Sequence, residues 1–591
     1  MTESRSRTLR CCGIALASML LLFSWGFLFP QSKNVKKEEA SKSQADFRVS
    51  VNVVVLNATV TDRKGNLVKD LTVEDFRVYD DGKLQPIQTF AMELSGATEP
   101  EEAESAAAKP DSAVRKKGET RSQMRSRMIS IVIDDLTMET PLDFVGIIDA
   151  VKKFVNNDMN PGDQVAILSG SRRVQLPFSD HKQQLLEELP LVLEKLNVET
   201  TIRPCGPDLT DLEAYEVARK HGRGVSAYNI QLADLCEKAR ISLPVAGMRQ
   251  NGDSEFRTHS LLQTMRQHVR ALRHFKGAKT VVLFSDGIVA QKGTATAYKL
   301  QEVIDLALRS GIVLNVVGTR GVDVYMDYMF KAPVPDDDKP EEVVGRTIGA
   351  GSKALLRDNT WKMLVRLNDK WSQERPLIQM AFDTGGMFHG GNFMDKSFHA
   401  IVRREIFCYI LTYAQPQTKA DGEYHSIGLE VTRPGMDLSY RKGYYTPKEE
   451  LSFETRRKED IIAALAAPGN MNEIPMTLSY NFFQEDDLSY SISFITDVKI
   501  RGLQFYEEDS RRKNLISLTL AAYDESDHYL SGVEKSIDFR LLEESYAGLR
   551  EHGLKSSVEL KLPMGRYKIK AVVRENNQNK MGSVAKSVEI P

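Results

Sequence analysis

The chain has 591 residues, too many for one hydrophobic core, and about three or four domains are expected. Its 41% hydrophobic content supplies several cores, and 79 Lys plus Arg against 81 Asp plus Glu leaves a net charge of −2. That balance excludes a dedicated nucleic-acid binder, and 5 cysteines with no C-x-x-C spacing exclude a disulfide framework or a zinc ribbon.

At the N-terminus Arg5, Arg7 and Arg10 precede an uncharged run from Cys11 to Phe29. A run of this length nearly spans a hydrocarbon core of about 30 Å at about 1.5 Å per residue. Residues 1–30 therefore read as a cleaved signal peptide or an uncleaved anchor, with residues 11–29 meeting the membrane in the second case. Either reading puts the bulk of the chain in an extracytoplasmic space: periplasm, cell surface or medium, or anchored in an inner membrane. Cys11, Cys12 and Cys408 sit in apolar patterns as filler, whereas Cys205 and Cys236 can pair in an exported domain.

Residues 31–46 are polar and read as a tether. Residues 47–93 read as a small β domain, either a structural cap on the next domain or a small adhesive module. Odd positions are apolar from Phe47 to Val55 and even positions from Val54 to Val60, a phase switch that suggests a bulge or a strand crossing. Asp80-Asp81-Gly82-Lys83 is a hairpin signal. Residues 94–125, rich in Ala, Glu and Ser and then in Lys and Arg, read as a disordered linker.

From Met128 strands alternate with helices. Ile129–Ile133, Gly162–Ser169, Thr280–Ser285 and Gly311–Gly318 read as strands; the third is apolar without alternation, as in a strand covered on both faces of a parallel sheet, and the first and last read as buried beside it. Arg173–Phe178 is expected beside the second of them. Helices are expected over 141–156, 181–197, 256–275, 298–310, 361–382 with a break at Pro376, and 395–404. Residues 199–255 and 320–358 read as insertions, the first with helices over 212–221 and 230–240. Residues 407–413, 424–432 and 438–444 are expected as antiparallel edge strands of the same domain. Residues 448–470 read as a linker, and the alternating runs of 471–591 as a β-sandwich.

Asp134 and Asp286 close two of the covered strands, so both are expected at the carboxyl edge of one sheet, where open α/β sheets place ligands. With Asp75–Gly82, Thr384-Gly385-Gly386, Arg433-Pro434-Gly435 and Arg441–Tyr445, these segments give the resemblance. Residues 126–447 resemble a von Willebrand factor type A (VWA) domain, and residues 47–447 are similar to the VWA-related family first catalogued in acidobacteria. The implied fold class is α/β: a doubly wound, Rossmann-like VWA domain between a small N-terminal β unit and a C-terminal β-sandwich.

The resemblance also implies a metal-ion-dependent adhesion site, Asp-x-Ser-x-Ser with a later Thr and Asp, holding Mg²⁺ through oxygen donors. Asp134 matches the first position and Asp286 the last, but Leu136 and Met138 stand where the serines belong. Asp135, Thr137 and Glu139 offer oxygens one register away, and Thr258 is the candidate for the middle Thr. The metal set is therefore Asp134, Asp135, Thr137, Thr258 and Asp286, read as a degenerate site or as one remodelled for Mg²⁺ or Ca²⁺; no other cofactor is implied.

Gly345–Lys353 is glycine-rich without P-loop order, and the helix bearing Arg257, His259, His268, Arg270, Arg273 and His274 reads as a solvated basic face. With no H-E-x-x-H and no G-x-S-x-G, no catalytic residue is named. The expected function is protein–protein binding, adhesion or scaffolding, by an exported non-enzyme. The alternative is a subunit of an envelope enzyme complex whose insertions shape a pocket.

Overall fold

The computed structural model describes residues 53–95, 122–125, 127–138, 141–197, 209–219, 236, 240–321, 350–404, 407–415, 423–446, 452–484, 489–525 and 527–590. The apolar run 11–29, the tether, residues 47–52 of the odd-phase stretch, Cys205, most of the helix expected over 230–240 and Gly345–Gly349 lie outside them. The described residues belong to one unit, Val51–Pro591.

The chain enters as β1 (Val53–Asp62), with Val54, Leu56, Ala58 and Val60 inward and Val55 49% exposed. Then come β2 (Phe76–Asp80), β3 (Lys83–Gln85) and β4 (Thr89–Ser95). The β2–β3 turn has Asp81 at φ 47° and Gly82 at φ 75°. Two consecutive positive φ values match the twist of a two-residue hairpin. The linker expected over 94–125 is shorter than predicted at its end: Ser122–Arg125 forms β5, parallel to β4.

Next in the chain is a six-stranded sheet, built from β6 (Arg127–Ile133), β7 (Gln164–Ser169), β8 (Gln175–Ser179), β9 (Ala278–Ser285), β10 (Ile312–Gly318) and β11 (Phe388–Gly390). Its order is β11-β10-β9-β6-β7-β8, parallel throughout except for β8. All seven residues of β6 are buried, Arg127 and Ser130 included, as in a strand covered on both faces.

Helices cover both faces. Helices α1 (Pro141–Asn157) and α2 (Lys182–Lys195) pack Phe144, Ile147, Leu185 and Leu189 into one layer. After α3 (Asp211–Arg219), α4 (Leu243–Leu272) and α5 (Ala295–Ser310) pack Leu261, Met265, Val303 and Ile304 into the other. Helix α6 (Ala350–Asp383) joins the second layer and α7 (Met394–Arg404) the first. Each fully buried Leu, Ile or Phe contributes about 1.5–3 kcal/mol, so the two layers dominate stability. Gly311, left-handed at φ 62°, closes α5 and frees the chain to enter β10.

Two helix expectations are corrected. Residues 243–272 form one helix running from the insertion into the sheet layer. Helix α6 is not broken at Pro376: Leu377, Met380 and Ala381 are fully buried after it. Their packing offsets the donor that proline removes.

The strands after α7 do not extend the six-stranded sheet. Strands β12 (Phe407–Ala414), β13 (Tyr424–Val431), β14 (Met436–Tyr440) and β15 (Gly443–Tyr445) return to the N-terminal strands. β12 lies between β1 and β4, β14 beside β1, and β13 between β2 and β15. The two resulting sheets enclose Leu56, Val78, Tyr409, Leu411 and Tyr413. The alternating burial of β12 marks a strand covered on one face. The six-stranded domain is thus inserted between the halves of a β unit.

Helix α8 (Phe453–Leu465) leads to β16 (Met476–Gln484), β17 (Ser489–Val498), β18 (Tyr506–Glu508), β19 (Arg511–Tyr523) and β20 (Tyr529–Leu541). After α9 (Glu543–His552) come β21 (Leu554–Pro563), β22 (Gly565–Glu575) and β23 (Met581–Ile590). One sheet runs β16-β17-β21, and the other β18-β19-β22-β23 with β20 on β19. Phe494, Ile516, Ile569 and Val573 share the core between them.

Candidate functional site

Strands β6 and β9 are parallel neighbours with Ile133 opposite Phe284. The Asp134 amide continues the ladder to the Phe284 carbonyl at 2.9 Å. Asp134 and Asp286 therefore stand on the same rim. Asp134 is fully buried, Asp135 and Thr258 are 1% exposed, and Asp286 is 9% exposed.

The donors around these residues come from the chain itself. Oδ1 of Asp134 accepts the amides of Leu136 (3.3 Å) and Thr137 (3.2 Å), and Oδ2 accepts the Ser285 hydroxyl at 2.6 Å and the Thr137 hydroxyl. A carboxylate offers about four acceptor positions, so Asp134 is filled. Asp135 turns the other way, to the Ser171 amide (2.7 Å), the Ser171 hydroxyl and the Asn197 amide (3.0 Å). Asp286 accepts the Thr319 hydroxyl, and the Thr258 hydroxyl accepts the Val289 amide at 3.0 Å. The structure brings Asp134, Thr137 and Ser285 together; Asp135, Thr258 and Asp286 each bond to a different neighbour. Met138 packs into one apolar layer and Leu136 against the other, so neither brings an oxygen donor to the rim. This donor set does not fit a hard divalent cation, which needs oxygen lone pairs converging on one point.

The rim is also roofed. Gly287, at φ 143°, lies under α6: a Cβ there would meet the Gln373 Cβ at 2.7 Å. The Ile288 amide donates to the Gln373 carbonyl at 3.1 Å. Gln373 donates to Asp369 at 2.9 Å, and Asp369 accepts the Leu212 amide at 2.9 Å from the first insertion. Ser285, Thr319 and Ser171 escaped the sequence-based site, although the strand-end rule that found Asp286 also reaches Ser285 and Thr319. Gln373 carries no local signal.

Burial pushes the Asp134 carboxyl up to about 6, against its hydroxyl donors and with the charge of Asp135 adding to it. An unfolded aspartate releases its proton near 4. Between those values the folded chain holds more protons, so stability is fully present below about pH 4 and falls as pH rises through about 6. The loss is on the order of 3 kcal/mol. Asp134→Asn is expected to flatten this part of the stability–pH profile, measured by urea unfolding from pH 4 to 8; an unchanged slope would remove Asp134 as its source.

One further expectation changes, and one reaches beyond the described residues. The basic face of α4 is not solvated over its last turns: His268, Arg270 and His274 are buried. Arg270 and Arg273 bind Asp460 of α8, each at 2.8 Å, and His274 pairs with Glu473 at 2.8 Å. Cys236 is buried and disulfide-bonded; Cys205, the partner expected for it, lies outside the described residues. Among the described residues no helix is long and apolar enough to cross a membrane.

No family model and no curated protein matches the chain. An aerotolerance-related membrane protein from Bacteroides fragilis NCTC 9343 aligns at 12% identity over 48% of this chain and 98% of its own, with a TM-score of 0.22. A putative β-galactosidase from Bacteroides fragilis aligns at 13% identity over 31% of this chain and 24% of its own, with a TM-score of 0.15. Bacteroides uniformis β-glucuronidase 2, in a calcium-binding mutant, aligns at 13% identity over 19% of this chain and 13% of its own, with a TM-score of 0.14. The chain thus spans less than a quarter of those two glycosidases. At these TM-scores the likenesses pass no activity to this chain, whose own topology is a mixed α/β fold with a doubly wound, mostly parallel sheet.

Proposed function

We propose that the chain is an exported, VWA-type protein-binding scaffold whose adhesion site has lost its cation. Partner binding then falls to the helices beside the rim. The observation that carries this reading is a set of aromatic side chains left in solvent on those helices: Phe256 on α4 is 71% exposed, Tyr298 on α5 69% and Trp371 on α6 62%. Phe256 lies a turn before His259 and Tyr298 next to Lys299, and those two side chains hydrogen-bond at 3.0 Å between the helices, which supports reading the aromatics as one surface. Large aromatics are the residues that anchor protein interfaces. A disulfide at Cys236 agrees with an oxidising, extracytoplasmic compartment.

Two measurements test it. Calorimetry with Mg²⁺ and Ca²⁺ is expected to give no submicromolar binding; tight binding abolished by Asp286→Ala would restore the metal site. A pull-down from envelope extract is expected to capture a protein that Phe256→Asp/Tyr298→Asp releases without lowering the Tm. Retention of every captured protein by that variant would rule out this surface.

A further inference from the structure

Between β8 of the six-stranded domain and β22–β23 of the C-terminal sandwich lies a cavity of about 300 Å³, at the lower end of small-molecule sites. Its apolar side is made by Pro177 and Phe178 of β8 and by Ala467 and Pro468 after α8. Phe178 is held by Phe275, ring centroids 5.3 Å apart, and by the hydrogen bond its backbone N–H donates to the Pro468 carbonyl at 3.0 Å. Two ammonium-bearing residues, Lys568 and Lys570 of β22, also line the cavity.

The two lysines differ. Lys568 pairs with Asp527 at 2.9 Å. Lys570 is 8% exposed and donates to two backbone carbonyls, Leu465 at 2.6 Å and Ala467 at 3.3 Å. An ammonium has three donors, so two carbonyls leave one hydrogen over. Among the described residues no carboxylate lies within ion-pair distance of Lys570. Burial, with Lys568 beside it, pushes Lys570 down to about 8, so at neutral pH it is still mostly charged. Asp527, held by Lys568, offsets only part of this, and Lys570 has no ion pair of its own; a buried charge so placed is costly, and an anion entering the cavity would relieve that cost.

We infer that this interdomain cavity binds a small organic carboxylate with an apolar body, its charge against the Lys570 ammonium and its body against Phe178, Pro177 and Pro468. The apolar wall selects against a bare inorganic anion, and the lysine against a neutral molecule of the same shape. The site lies apart from the aromatic surface on α4 and α5 and stands whether or not that surface binds a protein.

The test is thermal unfolding of the full chain with sodium benzoate as the probe, against benzyl alcohol and sodium chloride at equal concentration. A ligand that binds only the folded state raises the Tm with its concentration. Benzoate is expected to give such a rise, at least several-fold larger than either control. Lys570→Met is expected to abolish the rise and Lys570→Arg to keep part of it. Ala585→Trp, which adds bulk at an exposed lining residue and leaves both lysines in place, is expected to block entry and abolish it too, and it decides the matter if Lys570→Met does not fold. Equal rises with benzoate and benzyl alcohol, no rise with benzoate, or a benzoate rise that survives Ala585→Trp would each overturn the inference.

Discussion

Asp460→Ala is expected to be among the most damaging single substitutions in this chain, lowering stability by about 3–5 kcal/mol. Asp460 on α8 is buried and meets three guanidinium groups: Arg270 and Arg273 of α4 at 2.8 Å, and Arg574 of β22 at 3.2 Å. The arginines come from two domains and share Asp460; Glu459 adds a second carboxylate to Arg270 alone, at 2.6 Å. Removing it leaves buried positive charges facing one another. Around the cluster the apolar contact is thin, mostly Ala271, Ala463, Ala464 and Ala467 with Met471, Val572 and Met581. The ionic network therefore carries much of the coupling between the domains.

Calorimetry should show the consequence directly: a single unfolding transition in the parent should divide in Asp460→Ala, one domain melting earlier than the other. One undivided transition at the parental Tm would show that the alanine-rich contact suffices. Burial raises the Asp460 carboxyl, and the arginines outweigh that and hold it below its ordinary value. Its contribution is thus present at neutral pH and lost as pH falls below the ordinary aspartate range near 4. Added salt should matter little, because the cluster is buried.

That network shows where a sequence stops being readable. Arg270, Arg273 and His274 look like a solvated face because nothing near them in the chain says otherwise; their partners Asp460 and Glu473 lie almost 200 residues away. The strands of 407–445 are similar. Their alternation announces one covered face, yet alternation does not say which sheet supplies the cover, and β1 is some 350 residues upstream. What was legible was local and strongly patterned. The unbroken apolar runs predict buried parallel strands, and Asp80–Gly82 a hairpin. Asp134 and Asp286 share a rim because parallel strands end on the same side. The inward turn of that rim was half legible. Leu136 and Met138 announced the missing hydroxyls, but Ser285 filling Asp134 and Gln373 roofing Gly287 depend on tertiary placement.

The second large effect lies at the other end of the same strand. Arg127, 1% exposed at the start of β6, forks onto Asp163: Nε to Oδ1 at 2.8 Å and Nη2 to Oδ2. Its Nη1 donates to the Val402 carbonyl at 2.9 Å, and Asp163 also accepts the Asn160 amide at 2.8 Å. The pair thus ties β6, the entry to β7 and the end of α7. Asp163→Ala strands a buried guanidinium, and a loss of about 3–5 kcal/mol is expected. Arg127→Lys should not rescue the fork, because an ammonium cannot make two parallel bonds to one carboxylate. The double substitution Arg127→Met/Asp163→Leu should cost much less than the sum of the singles, since it removes both charges at once. A double-mutant cycle in urea reads that coupling; strictly additive losses would mean the pair is bystander to the packing around it. Seven residues of strand, roughly 23 Å, separate Arg127 from Asp134. These substitutions should therefore reduce partner capture only in proportion to the unfolded fraction, which separates loss of the fold from loss of the binding surface.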